Sequence, residues 1–350
     1  MPLLSIIVPT YNRQERLKRV LAGLANQSVN PEDFQVIVVS DGSSDGTNEY
    51  LQGATFPFAL QPILQKNQGV AAARNAGVAA AEADLLLFID DDVVPQPELV
   101  SEHLAWHERF GPDTVVLGPM LSPPDFAMSP WVDWEQAMLV KQYDAMVQGV
   151  YEPTSRQFYT GNTSLRRVHV QNAGGFDASF RRAEDIELAF RLDRFGLRFV
   201  FNPKAIGYHY AERSFQSWIA IPYAYGSNDV IFTRERSQHW LLPTVFREFH
   251  RRNGLIRFLT TVCLDRPVVS RLTMASLKTT ALICHRFGGQ RLSQMACSGL
   301  WNLRQYQGVA DQLGGRAAFF AGTEKARHDM PAEPQPETAT QEPQKELHGS

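Results

Sequence analysis

The chain predicts an α/β fold, an open and mainly parallel sheet flanked by helices, with a helical extension at its C-terminal end. Three observations carry this expectation. Through the first 120 residues, apolar runs of strand length alternate with helix-patterned segments, as in parallel strands joined by helical crossovers. Two of those runs end in carboxylates, at Asp41 and at Asp90 to Asp92, and open α/β sheets bind ligands beyond the carboxyl ends of their strands. From residue 241 onward the pattern is helical and basic.

The elements follow in order. Leu4 to Val8 opens as a strand, and Leu17, Val20, Leu21 and Leu24 then recur at helical spacing. Gln35 to Ser40 is a second strand leading to Asp41, and Ala59 to Leu64 is a third. Gly69 to Ala83, rich in alanine, makes a helix slim enough to pack closely on the sheet. Leu85 to Ile89 is uninterruptedly apolar, so it reads as a buried strand whose end places Asp90, Asp91 and Asp92 where the sheet meets solvent. Alternation along an extended chain puts Asp90 and Asp92 on one face and Asp91 on the other.

Two carboxylates about 4 Å apart repel by roughly 4 kcal/mol at an effective dielectric near 20. A divalent cation turns that repulsion into binding, and oxygen ligands suit magnesium or manganese. A solvated strand end feeding a helix near Pro97 explains the same residues without a metal.

Thr114 to Leu117 is a further strand. Pro123, Pro124 and Pro130 then mark an irregular crossing before a helix from Trp131 to about Met146. Tyr159 to Arg167, Phe199 to Asn202 and Ala205 to Tyr210 read as short strands around a helix from about Glu184 to Phe195. In that helix Ile186, Ala189, Phe190 and residues 192 to 195 form an apolar stripe, and Glu187 pairs with Arg191 on the exposed face.

With 350 residues there is room for one large domain or two. A hydrophobic content of 44% with 20% charged residues is ordinary for a soluble protein, and a net charge of −3 gives no signal for nucleic acid. Neither a spanning helix nor a leader before LLSIIV is expected, which points to the cytoplasm. Cys263, Cys284 and Cys297 lack metal-site spacing and read as buried reduced thiols. Residues 245 to 305 hold ten Lys or Arg against two acids, interleaved with Phe249, Leu255, Phe258, Leu259 and Trp301. Helices resting on anionic lipid carry that pattern, and so does a helical cap with a solvated basic face. Trp131 and Trp134 suit a sugar platform, a lipid surface or simple packing. From about Lys325 the composition predicts a disordered tail.

No G-x-x-x-x-G-K-[ST] or G-x-G-x-x-G sequence follows the first strand, where Val8 leads into Pro9, Thr10, Tyr11 and Asn12. This argues against a P-loop hydrolase and a dinucleotide-binding dehydrogenase. Instead SIIVPTYNR, VVSDGSSDGT, NQGVAAARNAG, FIDDDVVP, YTGNTSLRR, GGFD and AEDIELAFRL occur in that order. Over about residues 3 to 212 they resemble the large inverting glycosyltransferase family of GT-A fold, family 2, that includes cellulose, chitin and hyaluronan synthases.

The resemblance implies a GT-A domain, set at 1–240, with a nucleotide-sugar half at 1–120 and an acceptor half at 121–240; charge and composition set a basic helical extension at 241–324 and a tail at 325–350 after it. It implies that Asp41 bonds the donor's nucleobase, with Pro9 and Tyr11 flanking base and ribose, and that Arg74 lies near the donor nucleotide. Asp90 and Asp92 match the ends of a D-x-D motif, with Asp91 between them, and Asp90 and Asp91 are expected to contact the donor. Asp92 is the first choice for ligand to Mn2+ or Mg2+, with Asp90 and His209 beside it. Gly161 and Asn162 match a segment near donor sugar and acceptor, where the amide suits sugar hydroxyls. Glu184 and Asp185 match the acidic pair that starts a helix, with the aspartate as general base.

The implied partners are a nucleotide diphosphate sugar, UDP-linked by preference, and a glycan or lipid-linked acceptor on the inner face of a membrane. Nucleotidyl transfer and non-catalytic binding of a sugar nucleotide are the competing readings; the first calls for a basic glycine-rich signature that VPTYNR lacks, and the second has no need of Asp185.

Overall fold

The computed structural model describes residues 1–180 and 182–328. The first half alternates as its apolar runs require: β1 (Leu4–Thr10), α1 (Gln14–Ala25), β2 (Phe34–Asp41), α2 (Thr47–Gly53), β3 (Ala59–Gln65), α3 (Val70–Ala80), β4 (Leu85–Ile89), β5 (Val93–Pro95), α4 (Leu99–Phe110) and β6 (Thr114–Leu117). Then come β7 (Met120–Leu121), α5 (Pro130–Val147), β8 (Asn162–Arg166), α6 (Arg167–Asn172), α7 (Glu184–Asp193), β9 (Arg198–Phe201) and β10 (Gly207–His209). Helices close the described chain: α8 (Phe215–Glu235), α9 (Leu241–Arg251), α10 (Gly254–Cys263), α11 (Pro267–Arg286), α12 (Gln290–Leu313) and α13 (Arg316–His328). The tail expected from Lys325 thus starts inside α13, and its residues 329–350 lie outside the described residues.

Seven strands form one sheet in the order β3-β2-β1-β4-β8-β6-β9. All neighbours run parallel except β8, which is antiparallel to both β4 and β6. Side-chain alternation splits β1 between two cores. Ile7 joins α3 and α7 on one face, while Leu4, Ile6 and Val8 join α1 and α4 on the other. At the edge, β3 carries Pro62 and half-exposed side chains, as suits a strand with one unpaired side.

A second, three-stranded sheet of order β5-β10-β7 matters for chemistry. In it His209 pairs with Val93, one residue beyond the acidic cluster, and the Tyr210 N–H donates to the Asp92 carbonyl at 2.9 Å. Strands 114 residues apart in sequence therefore meet beside the end of β4. Among the described residues no helix is long and apolar enough to cross a membrane.

Trp134 of α5 is buried against Trp218 of α8 and Trp301 of α12, with ring centroids 5.8 and 5.1 Å away, while Trp131 packs on Phe215 and donates from Nε1 to the Arg213 carbonyl. Both tryptophans are packing residues. Cys263 and Cys297 are buried free thiols, and Cys284 is half-buried.

Candidate active site

Asp90, Asp91 and Asp92 do not continue the strand. The chain leaves the extended conformation after Ile89, and the Val93 N–H closes a turn on the Asp90 carbonyl at 3.0 Å. That overturns the expected alternation. Asp91 and Asp92 share one partner, Arg13, whose Nη1 lies 2.8 Å from Asp91 Oδ1 and 3.2 Å from Asp92 Oδ2. Asp90 turns the other way, to Arg74 Nη2 at 2.8 Å.

Each acid sits in a different field. Asp91 is buried and also accepts from Thr10 Oγ1 at 2.8 Å; desolvation outweighs Arg13 and pushes its carboxyl up to about 6. Its oxygens face protein, so it anchors the turn and does not reach for a donor. Asp92 is also desolvated, but His209 Nε2 at 3.5 Å, Arg13 and Arg213 overcome that and hold its carboxyl well below the usual range. Arg16 adds a contact to Asp92 at 3.6 Å and is held in turn by Glu212 at 2.9 Å.

Arg74 projects from the alanine helix α3 and is only 4% exposed. Its Nη1 lies 2.6 Å from Glu184 Oε1 while Nη2 holds Asp90, so one guanidinium ties the end of β4 to the start of α7. Ala183, the residue before α7, has φ +61°, a left-handed conformation costing an alanine about 1 kcal/mol. Asp185 follows, half-buried, with its Oδ1 accepting from the Ile186 N–H at 2.8 Å. Desolvation first, then the Glu184 charge, push its carboxyl up to about 7 against the opposing pull of Arg74. Glu187 and Arg191 do pair, at 2.5 Å, but Glu187 is buried. The exposed face expected for that pair is instead the seam with α6, where Arg191 also binds the Ala173 carbonyl.

At the end of β2, Asp41 is buried. Oδ1 accepts from Gln65 Nε2 at 2.7 Å and the Gln68 N–H at 2.9 Å, and Oδ2 accepts from the Gly69 N–H at 2.8 Å. Four lone-pair directions less three donors leave one for a ligand N–H. Gly42, with φ +83°, is required here, because a Cβ would come within 2.8 Å of the Asn67 nitrogen. Pro9 is buried inside β1 opposite Val39, so Tyr11, half exposed, is the free member of that pair. Gly161 lies against the acidic turn: a Cβ there would collide with Met120 Sδ and lie 3.2 Å from Asp90 Oδ2.

Asn162 corrects another expectation. It is fully buried, with Nδ2 donating to the Pro119 and Ala205 carbonyls and Oδ1 facing His103 Nε2 at 2.9 Å. Burial pushes His103 down to about 4, so the ring is neutral and donates there. The amide holds two loops together and has nothing left for a sugar.

Arg13, Arg16, Thr10 and His103 were not singled out from sequence. Their signal was present in part: Arg13 follows β1, and β1 and β4 are adjacent parallel strands, so a base three residues past one faces acids just past the other.

Among the described residues no three His, Cys, Asp or Glu converge as a metal-ligand cluster. The expected trio of Asp90, Asp92 and His209 is thus reduced, because Arg74 draws Asp90 away. What fits a divalent cation is the pair of Asp92 oxygen and His209 imidazole, a donor set compatible with manganese when a ligand's own oxygens complete it.

Comparison with known proteins bears on this arrangement. The family model described as Glycosyl transferase family 2 matches residues 5–185, just over half the chain. Validoxylamine A glucosyltransferase of Streptomyces hygroscopicus subsp. limoneus is 35% identical over 233 residues, covering 59% of this chain and 51% of that protein. Hyaluronan synthase of Pasteurella multocida is 28% identical over 240 residues, covering 59% of this chain and 24% of that protein. The chain spans about half the length of the first curated relatives it matches.

Two solved structures share the fold at 17% identity. They are the mannosyltransferase PcManGT of Pyrobaculum calidifontis in complex with GDP-Man and Mn2+ (TM-score 0.53, 94% of this chain and 88% of that one) and S. aureus TarS 1–349 in complex with UDP (TM-score 0.51, 95% and 93%). The family match runs from β1 to Asp185 and so takes in both strand-end acids and the head of α7. On that match the chain belongs to glycosyltransferase family 2 and has the GT-A fold.

Proposed function

We propose that this chain transfers a sugar from a nucleotide diphosphate sugar, a UDP-sugar by preference, to an acceptor hydroxyl with inversion at the anomeric carbon. The observation that carries the reading is the Arg74 bridge, which ties the acidic turn to the helix that presents Asp185. Asp185 takes the proton of the incoming hydroxyl. A carboxyl raised to about 7 matches a base to that task, where one of ordinary acidity would be too weak. Single displacement by that oxygen inverts the anomeric centre, with no second carboxylate as nucleophile.

On the donor side Asp41 and Tyr11 read and stack the base, and Gly161 lets Met120 and Asp90 close up against its backbone beside the donor sugar. Asp92 and His209 would hold Mn2+ or Mg2+, which supplies positive charge to the departing diphosphate. Residues 1–120 form the donor half and 121–240 the acceptor half, with 241–324 as a basic extension. On the acceptor side Tyr225 of α8 is close enough to Asp185 and Glu135 for their charges to raise its hydroxyl further above a value that burial has already lifted. Glu135, paired with Arg213 at 3.0 Å, keeps Oε2 buried without a partner, a waiting acceptor for a sugar hydroxyl. A glycan or lipid-linked saccharide, in polysaccharide or glycolipid assembly at the cytoplasmic face of a membrane, suits that wall.

Calorimetric titration with UDP, with and without Mn2+, followed by hydrolysis of UDP-, GDP- and dTDP-sugars, tests the reading. Turnover of a UDP-sugar with release of the inverted anomer is expected. A retained anomer, or turnover unchanged in Asp185→Asn, overturns it; UDP binding with no turnover of any donor leaves a binding protein instead.

A further inference from the structure

Between Asp265 and Asp311 the chain contains no Asp or Glu, yet it carries Arg266, Arg271, Lys278, Arg286, Arg291 and Arg304. The whole of α11 lies in this interval. Its inner side packs on α12, and Ala281 is its one fully buried residue. Its outer side exposes Val268, Leu272 (68%), Leu282 and Ile283. At 3.6 residues per turn these four fall within an arc of about 100°, a stripe along most of a helix roughly 30 Å long. Phe287 extends it, 78% exposed at the C-terminal cap. Next to α11, α10 exposes Leu255 and Phe258 around Arg257. On that arc Ala275 and Thr279 separate Leu272 from Leu282, so the large apolar side chains gather in two clusters, one toward each end of the helix; isolated exposed apolar residues are ordinary on protein surfaces, whereas such clusters on one face mark a contact.

We infer that α11 lies flat on an anionic lipid surface, its apolar stripe in the boundary between headgroups and acyl chains and its Arg and Lys side chains on lipid phosphates. Charge decides between the occupants. A second copy of the chain would set one basic stripe against another, so the Arg side chains would meet like charge, and Asp133, the carboxylate beside His285 of α11, is already engaged by Gln290 and Gln294. Anionic lipid supplies both an apolar layer and the counter-charge. The helix is too polar to cross the bilayer, which leaves it in the interfacial plane. This inference does not depend on Asp185 or on any metal, so it can fail while the transfer reading stands, and the reverse.

The test is co-sedimentation of the full chain with phosphatidylcholine vesicles, with and without phosphatidylglycerol. Binding to the anionic vesicles alone is expected, weakening at least tenfold from low to high salt. Leu272→Glu with Ile283→Glu should abolish it, and Arg271→Gln with Arg286→Gln, both exposed, should weaken it about tenfold or more, with the thermal transition of both variants unchanged. Three results overturn the inference: no binding to either vesicle, equal binding to neutral vesicles, or a dimer in sedimentation equilibrium that Leu272→Glu dissolves.

Discussion

Asp185 and Arg13 concentrate the electrostatics of the site in two side chains. Arg74 shares one positive charge between Asp90 and Glu184, so Asp185, beside them, is left to titrate in a negative field and a desolvated pocket. A base must be unprotonated to act, so kcat/KM should rise with pH through about 7 and then level off. Asp185→Asn should lower kcat by about 10²–10⁴. The stability linkage runs the opposite way. Because the folded carboxyl holds its proton more tightly than the unfolded one, stability falls as pH rises from the ordinary carboxylate range through about 7. Asp185→Asn should therefore melt higher than the parent above that range and equal to it in acid, which scanning calorimetry at both ends would show. Arg13 neutralises Asp91 and Asp92 when no cation is bound, and so competes with one. Arg13→Gln should tighten Mn2+ binding in the absence of nucleotide by about tenfold, the equivalent of about 1.4 kcal/mol of a repulsion estimated near 4. Unchanged Mn2+ affinity by electron paramagnetic resonance would show that the guanidinium is no competitor.

At the scale of elements, the seam between α8 and α12 depends on two glycines facing each other's backbone. A Cβ at Gly226 would collide with the Gln305 carbonyl, and one at Gly308 with the Tyr223 carbonyl. Neither carbonyl can yield without moving its helix, so Gly226→Ala and Gly308→Ala should each cost about 1–3 kcal/mol in urea denaturation, outweighing alanine's better helix propensity. Such close approach is not written in local periodicity: α12 was legible only as part of the basic helical extension from 241, and α8, which precedes it, was not read as a helix at all. β1, β2, β4 and β6 were legible because their apolar runs are longer than chance would supply, and Asp41 and Asp90 could be placed at the ends of two of them, whereas Asp185 was singled out by the family resemblance and not by any run. The three-stranded sheet was read only in part, since its strands have two or three residues, too few for alternation to register. The acids were misplaced across faces for a physical reason: alternation presumes extended backbone, and a single hydrogen bond from Val93 to Asp90 ends it one residue too soon. Asn162 was assigned to the sugar because its residue type fits one, but the partners that claim its amide come from loops more than forty residues away.

Across the whole molecule, the helical extension is joined to helices of the GT-A domain through shared hydrophobic clusters, which decides how independent the extension can be. Trp134 of the acceptor half is covered by Trp218 and Trp301, and Ile219, Ile221, Leu300 and Cys297 complete that cluster. Phe180 and Phe190, around α7, pack against Phe232 of α8 and Leu241 of α9. Ending the chain at residue 240 would strip α12 from α8 and α9 from α7, uncovering Trp134, Trp218, Ile219, Ile221, Phe190 and Phe232. At about 1.5–3 kcal/mol for each side chain returned to water, the loss is roughly 9–18 kcal/mol, as large as the entire stability of a typical domain. The truncated chain should therefore bind a hydrophobic dye, aggregate and lose its cooperative thermal transition, even though every acid proposed for catalysis is still present. A soluble monomer of residues 1–240 that melts cooperatively and binds UDP like the full chain would instead make the extension a separate domain. In the expected case the helical region also holds Asp185 in place, because α7 is clamped between the sheet and α8 while α8 packs on α12 and α12 on α11, and a bilayer under α11 would then be fixed relative to the site through that succession of packed helices.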